Sequence, residues 1–188
     1  MKVLVSALVV WSCGKSDKPT PAPRPEPSSR TMKRLIEQPL SPVHISVGAI
    51  PFTVSLPQAW LAPPATSDRG VQWDFGEPQL PTVAIEVMDA LPSNWVGRTV
   101  GSAELLPERD QALSRVLLRA DKGADGVTSW LEQQRDRRNF TIKLCQPIPQ
   151  GVACCTVTST SSAAGPIDDL ETAELWGEKL CRTLTLDK

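Results

Sequence analysis

The sequence predicts an α+β domain in which one C-terminal helix packs on an antiparallel β-sheet. Runs of about four to eight residues alternate between apolar and polar and are separated by glycine or proline, which is typical of antiparallel strands. The stretch 167–179 instead has apolar residues at helical spacing, with Asp168 and Asp169 at its positive end. After this helix, 181–186 is expected to return to the sheet as a closing strand.

The folded domain is expected to begin near Val43 with a β-hairpin. Val43, Ile45 and Val47 alternate with polar or small residues, Gly48 begins a turn, and 50–56 forms the second strand. These two strands are therefore predicted to be antiparallel neighbours.

Four more strands are predicted farther along the chain. The first two cover 71–75 and 82–88. The other two cover 140–145 and 152–158, and 146–151 is a plausible hairpin loop between them.

The stretch 107–133 fits either a helix or strands. Leu113, Val116 and Leu117 have helical spacing, whereas the glycine at Gly123 suits a strand that enters a turn. Both interpretations stay open from the sequence.

The N-terminus has the layout of an export signal. Lys2 supplies a positive charge, 3–10 is apolar, and the chain becomes polar at 14–18. The apolar run, about eight residues, is shorter than the roughly 20 that a bilayer-spanning helix needs. A cleaved secretory signal with a free cysteine and a misassigned start codon are the alternatives.

The end of this segment resembles the lipobox of bacterial lipoproteins. Val10 is aliphatic, Ser12 is small, and Cys13 follows in the position of the lipid-acceptor cysteine, although Trp11 departs from the pattern. The resemblance implies that residues 1–12 are removed as a signal peptide and that Cys13 is lipidated.

A lipidated Cys13 implies a location in the bacterial cell envelope. Gly14 follows it, which by analogy with enterobacterial sorting favours the outer membrane, facing the periplasm or the surface. Residues 13–42 are expected to be the lipidated cysteine and a disordered tether, and 43–188 the single domain. The tether is rich in alternating prolines: Pro19, Pro21, Pro23, Pro25 and Pro27.

The remaining cysteines predict two disulfides in an exported protein. Antiparallel pairing of the late hairpin brings Cys145 near Cys154, which leaves Cys155 for Cys181. Exchanging the partners of the two adjacent cysteines also satisfies the pattern. A zinc site is not expected, since there is no Cys-x-x-Cys pair and His44 is remote in sequence.

The order of elements resembles the PsbP-like α/β sandwich. The stretch 47–60, a hairpin that ends in Leu-Pro-x-x-Trp, and a late helix with a final strand at 170–186 carry this resemblance. The DcrB-like bacterial lipoproteins are similar in being lipid-anchored. The resemblance implies a small accessory or assembly module, not an enzyme, and transfers no functional residue.

The sequence contains no recognisable catalytic motif. His44 is the single histidine, on the first predicted strand, and tyrosine is absent. No phosphate-binding glycine loop is present, so no cofactor is expected. The net charge of −1 gives no electrostatic footprint for nucleic acid.

Three hypotheses for function follow. The first is a non-catalytic binding or assembly module for another envelope protein, with Trp95 as the candidate ligand-binding residue. One alternative is an envelope hydrolase with a site assembled from scattered Asp, Glu and Ser residues, which requires a deep pocket joining residues such as Glu86 and Asp74. The other is a solute-binding lipoprotein with a tryptophan-lined cleft. The other tryptophans of the domain are predicted to pack in the core: Trp60, Trp73, Trp130 and Trp176.

Overall fold

A computed structural model describes residues 32–58, 61–76, 80–96, 98, 100–101, 115–134, 139–159 and 170–187. Several predictions lie outside these ranges: the signal peptide 1–12, Cys13, the tether up to residue 31, Trp60, Asp168 and Asp169.

Most of the described elements are strands. In chain order they are α1 (Met32–Ile36), β1 (Leu40–Val47), β2 (Ile50–Pro57), β3 (Ala65–Ser67), β4 (Gly70–Trp73), β5 (Thr82–Met88), α2 (Ser93–Val96), β6 (Arg115–Lys122), β7 (Thr128–Gln134), β8 (Phe140–Ile148), β9 (Gly151–Thr158), α3 (Leu170–Cys181) and β10 (Thr185–Leu186). The strands form a three-stranded sheet, β1-β2-β10, and a seven-stranded sheet, β3-β4-β5-β9-β8-β7-β6, and all of their pairings are antiparallel. The predicted α+β class, with a C-terminal helix on an antiparallel sheet, is confirmed.

The predicted first hairpin is confirmed. Val47 pairs with Ile50, and Gly48 takes a φ of 58°, a left-handed conformation that glycine adopts without steric cost. The strand begins at Leu40, and Leu35 in α1 is fully buried. Packed structure therefore extends to the N-terminal side of the expected boundary at residue 43.

Within 107–133, the described part consists of strands. β6 and β7 pair antiparallel, with Leu118 as an unpaired bulge residue between Leu117 and Arg119. Trp130 and Leu131 are both buried, one in each of two separate apolar clusters. Because β7 buries side chains on both faces, its apolar residues do not alternate, which explains why the sequence fits a helix equally well.

The late hairpin is confirmed, but its loop is shorter than predicted. Pro149 and Gln150 form a two-residue turn, and most of 146–151 belongs to the two strands. Pro147 is tolerated in β8 because β7 no longer pairs at this level. Gly151, with a φ of 136°, supplies the backbone conformation that this tight turn needs.

Helix α3 packs on the seven-stranded sheet as predicted. Ala173, Trp176 and Leu180 are buried on its inner side. The predicted closing strand 181–186 is wrong in its first half, since Cys181 is the last residue of the helix. Only Thr185 and Leu186 form strand, because backbone bonds such as that from the amide of Leu184 to the carbonyl of Cys181 continue helical turns beyond α3.

The apolar residues form two clusters on opposite sides of the seven-stranded sheet. The larger cluster contains residues of α3, of the three-stranded sheet and of the sheet face toward them, here called the helix face. The smaller cluster contains Leu117, Trp130, Cys145 and Cys154 and lies on the opposite face, here called the far face. Three of the predicted core tryptophans are buried: Trp73, Trp130 and Trp176.

Candidate functional site

The two disulfides lie on opposite faces of the seven-stranded sheet. Cys145 bonds to Cys154, its cross-strand partner, with a Cα–Cα distance of 4.0 Å, and Cys155 bonds to Cys181 at 5.4 Å. Neighbouring residues in a strand point to opposite faces, so Cys154 faces the far side and Cys155 faces α3. The pleat therefore decides between the two pairings that the sequence left open.

The far-face disulfide supports the residue that the sequence singles out, Trp95. Helix α2 begins after Pro92, whose carbonyl accepts a hydrogen bond from the amide of Trp95 at 2.9 Å. The indole packs edge to face with Trp130, with ring centroids 6.0 Å apart, and Lys143 Nζ lies 3.7 Å from the centroid of the Trp95 ring. Trp95 therefore anchors the described residues 91–96, 98 and 100–101, here called the Trp95 segment, to the sheet.

Two polar contacts fix the rest of the Trp95 segment. Arg98 forms an ion pair with Glu132, whose side chain is only 9% exposed. The amide of Gly101 donates a hydrogen bond of 2.7 Å to the carbonyl of Leu117 on β6. The segment is thus held at its middle and at its end by β7 and β6.

The Trp95 segment exposes two large apolar side chains. Val96 is 65% exposed and Val100 is 56% exposed, and Leu118 next to Leu117 on β6 is also exposed. Among the described residues, the remaining exposed large apolar side chain is Leu175 on α3. Exposed apolar groups on a fixed backbone offer contact area to a protein partner with little loss of conformational entropy on binding.

His44 belongs to a polar cluster in the three-stranded sheet. Its Nδ1 lies 2.8 Å from Thr53 Oγ1, which also lies 2.8 and 3.0 Å from the carboxylate oxygens of Asp187. The hydroxyl has one proton, which it donates to the carboxylate, so Nδ1 of the imidazole donates to Oγ1. A nucleophile must give its proton to its base, and His44 therefore does not activate Thr53 in this arrangement.

The structure does not bring Glu86 and Asp74 together. Glu86 pairs with Gly70 and Val83 pairs with Trp73, so about 13 Å of strand lies between Glu86 and the level of Asp74. Asp74 Oδ1 accepts a hydrogen bond of 3.0 Å from the amide of Gly76. These two residues therefore do not form the carboxylate pair named as an example in the hydrolase hypothesis.

Glu86 lies instead at a shallow depression on the far face. The depression has a volume of about 210 Å³ and is lined by strands β3, β4 and β5. Register places Glu86 opposite Cys154 in the sheet, with the Trp95 segment farther along the same face.

The shifted carboxyl groups lie where α3 meets β6. Burial raises the pKa of Glu178, but hydrogen bonds from Arg182 and Arg119 outweigh it and hold the pKa below its ordinary value. Burial raises the pKa of Glu174, which Arg119 lowers and Glu171 raises, and the net shift is upward. These shifts result from docking of the helix on the sheet.

The contacts of the Trp95 segment come from distant parts of the chain. Arg98, Glu132 and Lys143 share no motif, so the sequence alone does not indicate that they meet. One local signal was present in the sequence. Glu132 lies two residues after Trp130, so in a strand both side chains point to the same face. A carboxylate buried beside a tryptophan needs a cationic partner.

Comparison with known proteins gives no functional assignment. No protein-family model and no curated protein matches the chain. In the described ranges, histidine, cysteine, aspartate and glutamate side chains form no group of three that could hold a metal ion. None of the described helices combines the length and apolar character required to cross a membrane.

Proposed function

We propose that this protein is a lipid-anchored component of the bacterial cell envelope whose α+β domain is a non-catalytic binding or assembly module for another envelope protein. The observation that carries the binding role is the Trp95 segment, which presents Val96 and Val100 to solvent on a fixed base. The anchor is Cys13, supported by the lipobox-like sequence around it. The anchored protein is expected in the outer membrane.

The contacts beneath the Trp95 segment suit a preformed protein-binding surface. Trp95 rests on Trp130, and the disulfide between Cys145 and Cys154 crosslinks the two strands next to β7 and β5. A surface fixed in this way loses little entropy when a partner binds. The proline-rich stretch, at about 3 Å per residue in extended form, lets the domain reach some tens of ångströms from the bilayer.

The PsbP-like sandwich is our proposal for the finer fold class, with the DcrB-like lipoproteins as the similar anchored proteins. Two features support it. The hairpin of β1 and β2 leads into the Leu-Pro-x-x-Trp stretch, and α3 is followed by β10, which pairs with β2. Proteins of this fold class act mostly as accessory modules, in agreement with the binding role.

The anchor is tested by metabolic labelling with a palmitate analogue. We expect the wild-type protein to be labelled and to sediment with membranes, and Cys13→Ala to lose both properties. Cys13→Ala that remains labelled, or wild type that is never labelled, would contradict the lipoprotein assignment.

The binding role is tested by placing a photocrosslinking amino acid at Val96 or Val100 in intact cells. We expect a discrete crosslinked product with one envelope protein. The matched control is the same amino acid at Lys179, which is exposed on α3 on the other side of the sheet. Products of equal size and yield at all three positions would show that the Trp95 segment has no preferred partner.

A further inference from the structure

We infer that the depression beside Glu86 is a binding site for a primary ammonium group. It lies on the far face and is lined by residues of three adjacent strands, including Ser67, Gly70, Gln72, Ala84 and Glu86. This site is separate from the Trp95 segment and does not depend on the proposed partner.

Small residues form the floor of the depression. Gly70 has no side chain and Ala84 has a single methyl group, and both lie between the longer side chains of Gln72 and Glu86. A Cβ at Gly70 would lie 3.3 Å from Cγ of Glu86 and 3.1 Å from the carbonyl oxygen of Ile85. The glycine therefore lets the stem of Glu86 lie close against β4, beside the open volume.

The polar groups around this volume favour a cationic donor. Glu86 is exposed, and no ion pair connects it to another described residue. The hydroxyl of Ser67 donates to the carbonyl of Gly70 at 3.2 Å, so its oxygen lone pairs remain acceptors. A carboxylate, a hydroxyl oxygen and the amide oxygen of Gln72 together match the three donors of an ammonium group.

The ammonium group has two possible sources, a free alkylamine or a lysine side chain of a polypeptide. The volume of about 210 Å³ accommodates the alkyl stem of either. One wall, β3, is the edge of the seven-stranded sheet and is exposed along its three residues, so the site is accessible to a group carried by a larger molecule.

The test is a titration of the full folded protein followed by the amide NMR signals of Gly70 and Ala84. The probes are 1,5-diaminopentane, an acetylated and amidated Gly-Lys-Gly peptide, and pentan-1-ol as a neutral ligand of similar shape. We expect saturable shifts with the two amines and none with the alcohol. Tighter binding of the peptide identifies a polypeptide as the source of the ammonium group, and tighter binding of the diamine identifies a free amine.

Variants distinguish the contribution of the Glu86 charge to amine binding from that of the shape of the depression. Glu86→Gln is expected to weaken amine binding at least fivefold, and Ala84→Leu to abolish it by filling the depression. Glu37→Gln, an exposed carboxylate on the other side of the fold, is expected to bind as wild type does. Equal shifts with pentan-1-ol, or wild-type affinity in Glu86→Gln with an unchanged melting temperature, would overturn the assignment.

Discussion

The disulfide between Cys155 and Cys181 is expected to contribute more to stability than the one between Cys145 and Cys154. The first closes a loop with a sequence separation of 26, and the second closes one of 9. In the chain-entropy treatment, these loops correspond to about 3.5 and about 2.6 kcal/mol of stabilisation. The double variant Cys155→Ala with Cys181→Ala should therefore lose about 0.9 kcal/mol more than Cys145→Ala with Cys154→Ala.

The location of the two disulfides also predicts that the Cys155–Cys181 bond stabilises the fold more than the Cys145–Cys154 bond. Cys155 and Cys181 join the sheet to the helix that covers it, whereas Cys145 and Cys154 join strands that are already hydrogen-bonded to each other. Without the inter-element bond, the described contacts that hold α3 on the sheet include apolar packing and the ion pair of Glu178 with Arg119.

Equilibrium denaturation in guanidinium chloride under non-reducing conditions measures the free energy of unfolding that each double variant loses. Paired alanine substitutions avoid a free thiol, and a variant lacking both disulfides should match the reduced wild-type protein. A larger loss of free energy from removing the Cys145–Cys154 bond would refute the argument from loop closure and from tertiary connection. A changed m-value would show that the unfolded state had changed as well.

Three other perturbations test the far face and the helix contact. Trp130→Ala should cost about 3–5 kcal/mol in thermal unfolding and release the Trp95 segment to protease. Arg98→Ala should cost about 2–3 kcal/mol because it leaves the buried Glu132 unpaired, and adding Glu132→Gln should recover part of that loss in urea titrations. The carboxylate of Glu178 stabilises the fold above its ordinary pKa of 4.5, and this contribution disappears as the pH falls through its lowered native pKa. Glu178→Gln should therefore weaken the acid dependence of stability, whereas an unchanged pH profile would exclude this contribution.

Local patterns predicted the two hairpins and the last helix because each depends on short-range periodicity. Val43 to Val47 alternates cleanly, since β1 buries only one side of its residues. The stretch from 115 to 134 has no clear period because β7 is buried on both faces and the bulge at Leu118 interrupts the alternation of β6. The Trp95 segment covers the far face of β7, and nothing in the local sequence indicates where it docks.

The candidate sites likewise depend on contacts between distant parts of the chain, which local sequence patterns do not predict. The sequence distinguishes Trp95 from the other tryptophans of the domain because it lies in a predicted loop, whereas core packing explains most of the others. Its partners Trp130 and Lys143 lie on neighbouring strands, and their contact with it depends on strand register. The hydrolase hypothesis predicts a second carboxylate near Glu86, but the sheet places the small residues Gly70 and Ala84 beside it. Register decides both outcomes, and one residue of slip would send each side chain to the other face.

The bulge at Leu118 has a consequence for self-association. Strand β6 lies at one end of the seven-stranded sheet, where unpaired backbone groups could otherwise template the addition of a strand from another molecule. The bulge interrupts the regular spacing of these groups, the amide of Gly101 occupies the carbonyl of Leu117, and Lys122 places a charge at the end of the strand. At the other end, β3 is only three residues long. Both ends of the sheet therefore carry features that oppose edge-to-edge pairing with a strand of another molecule.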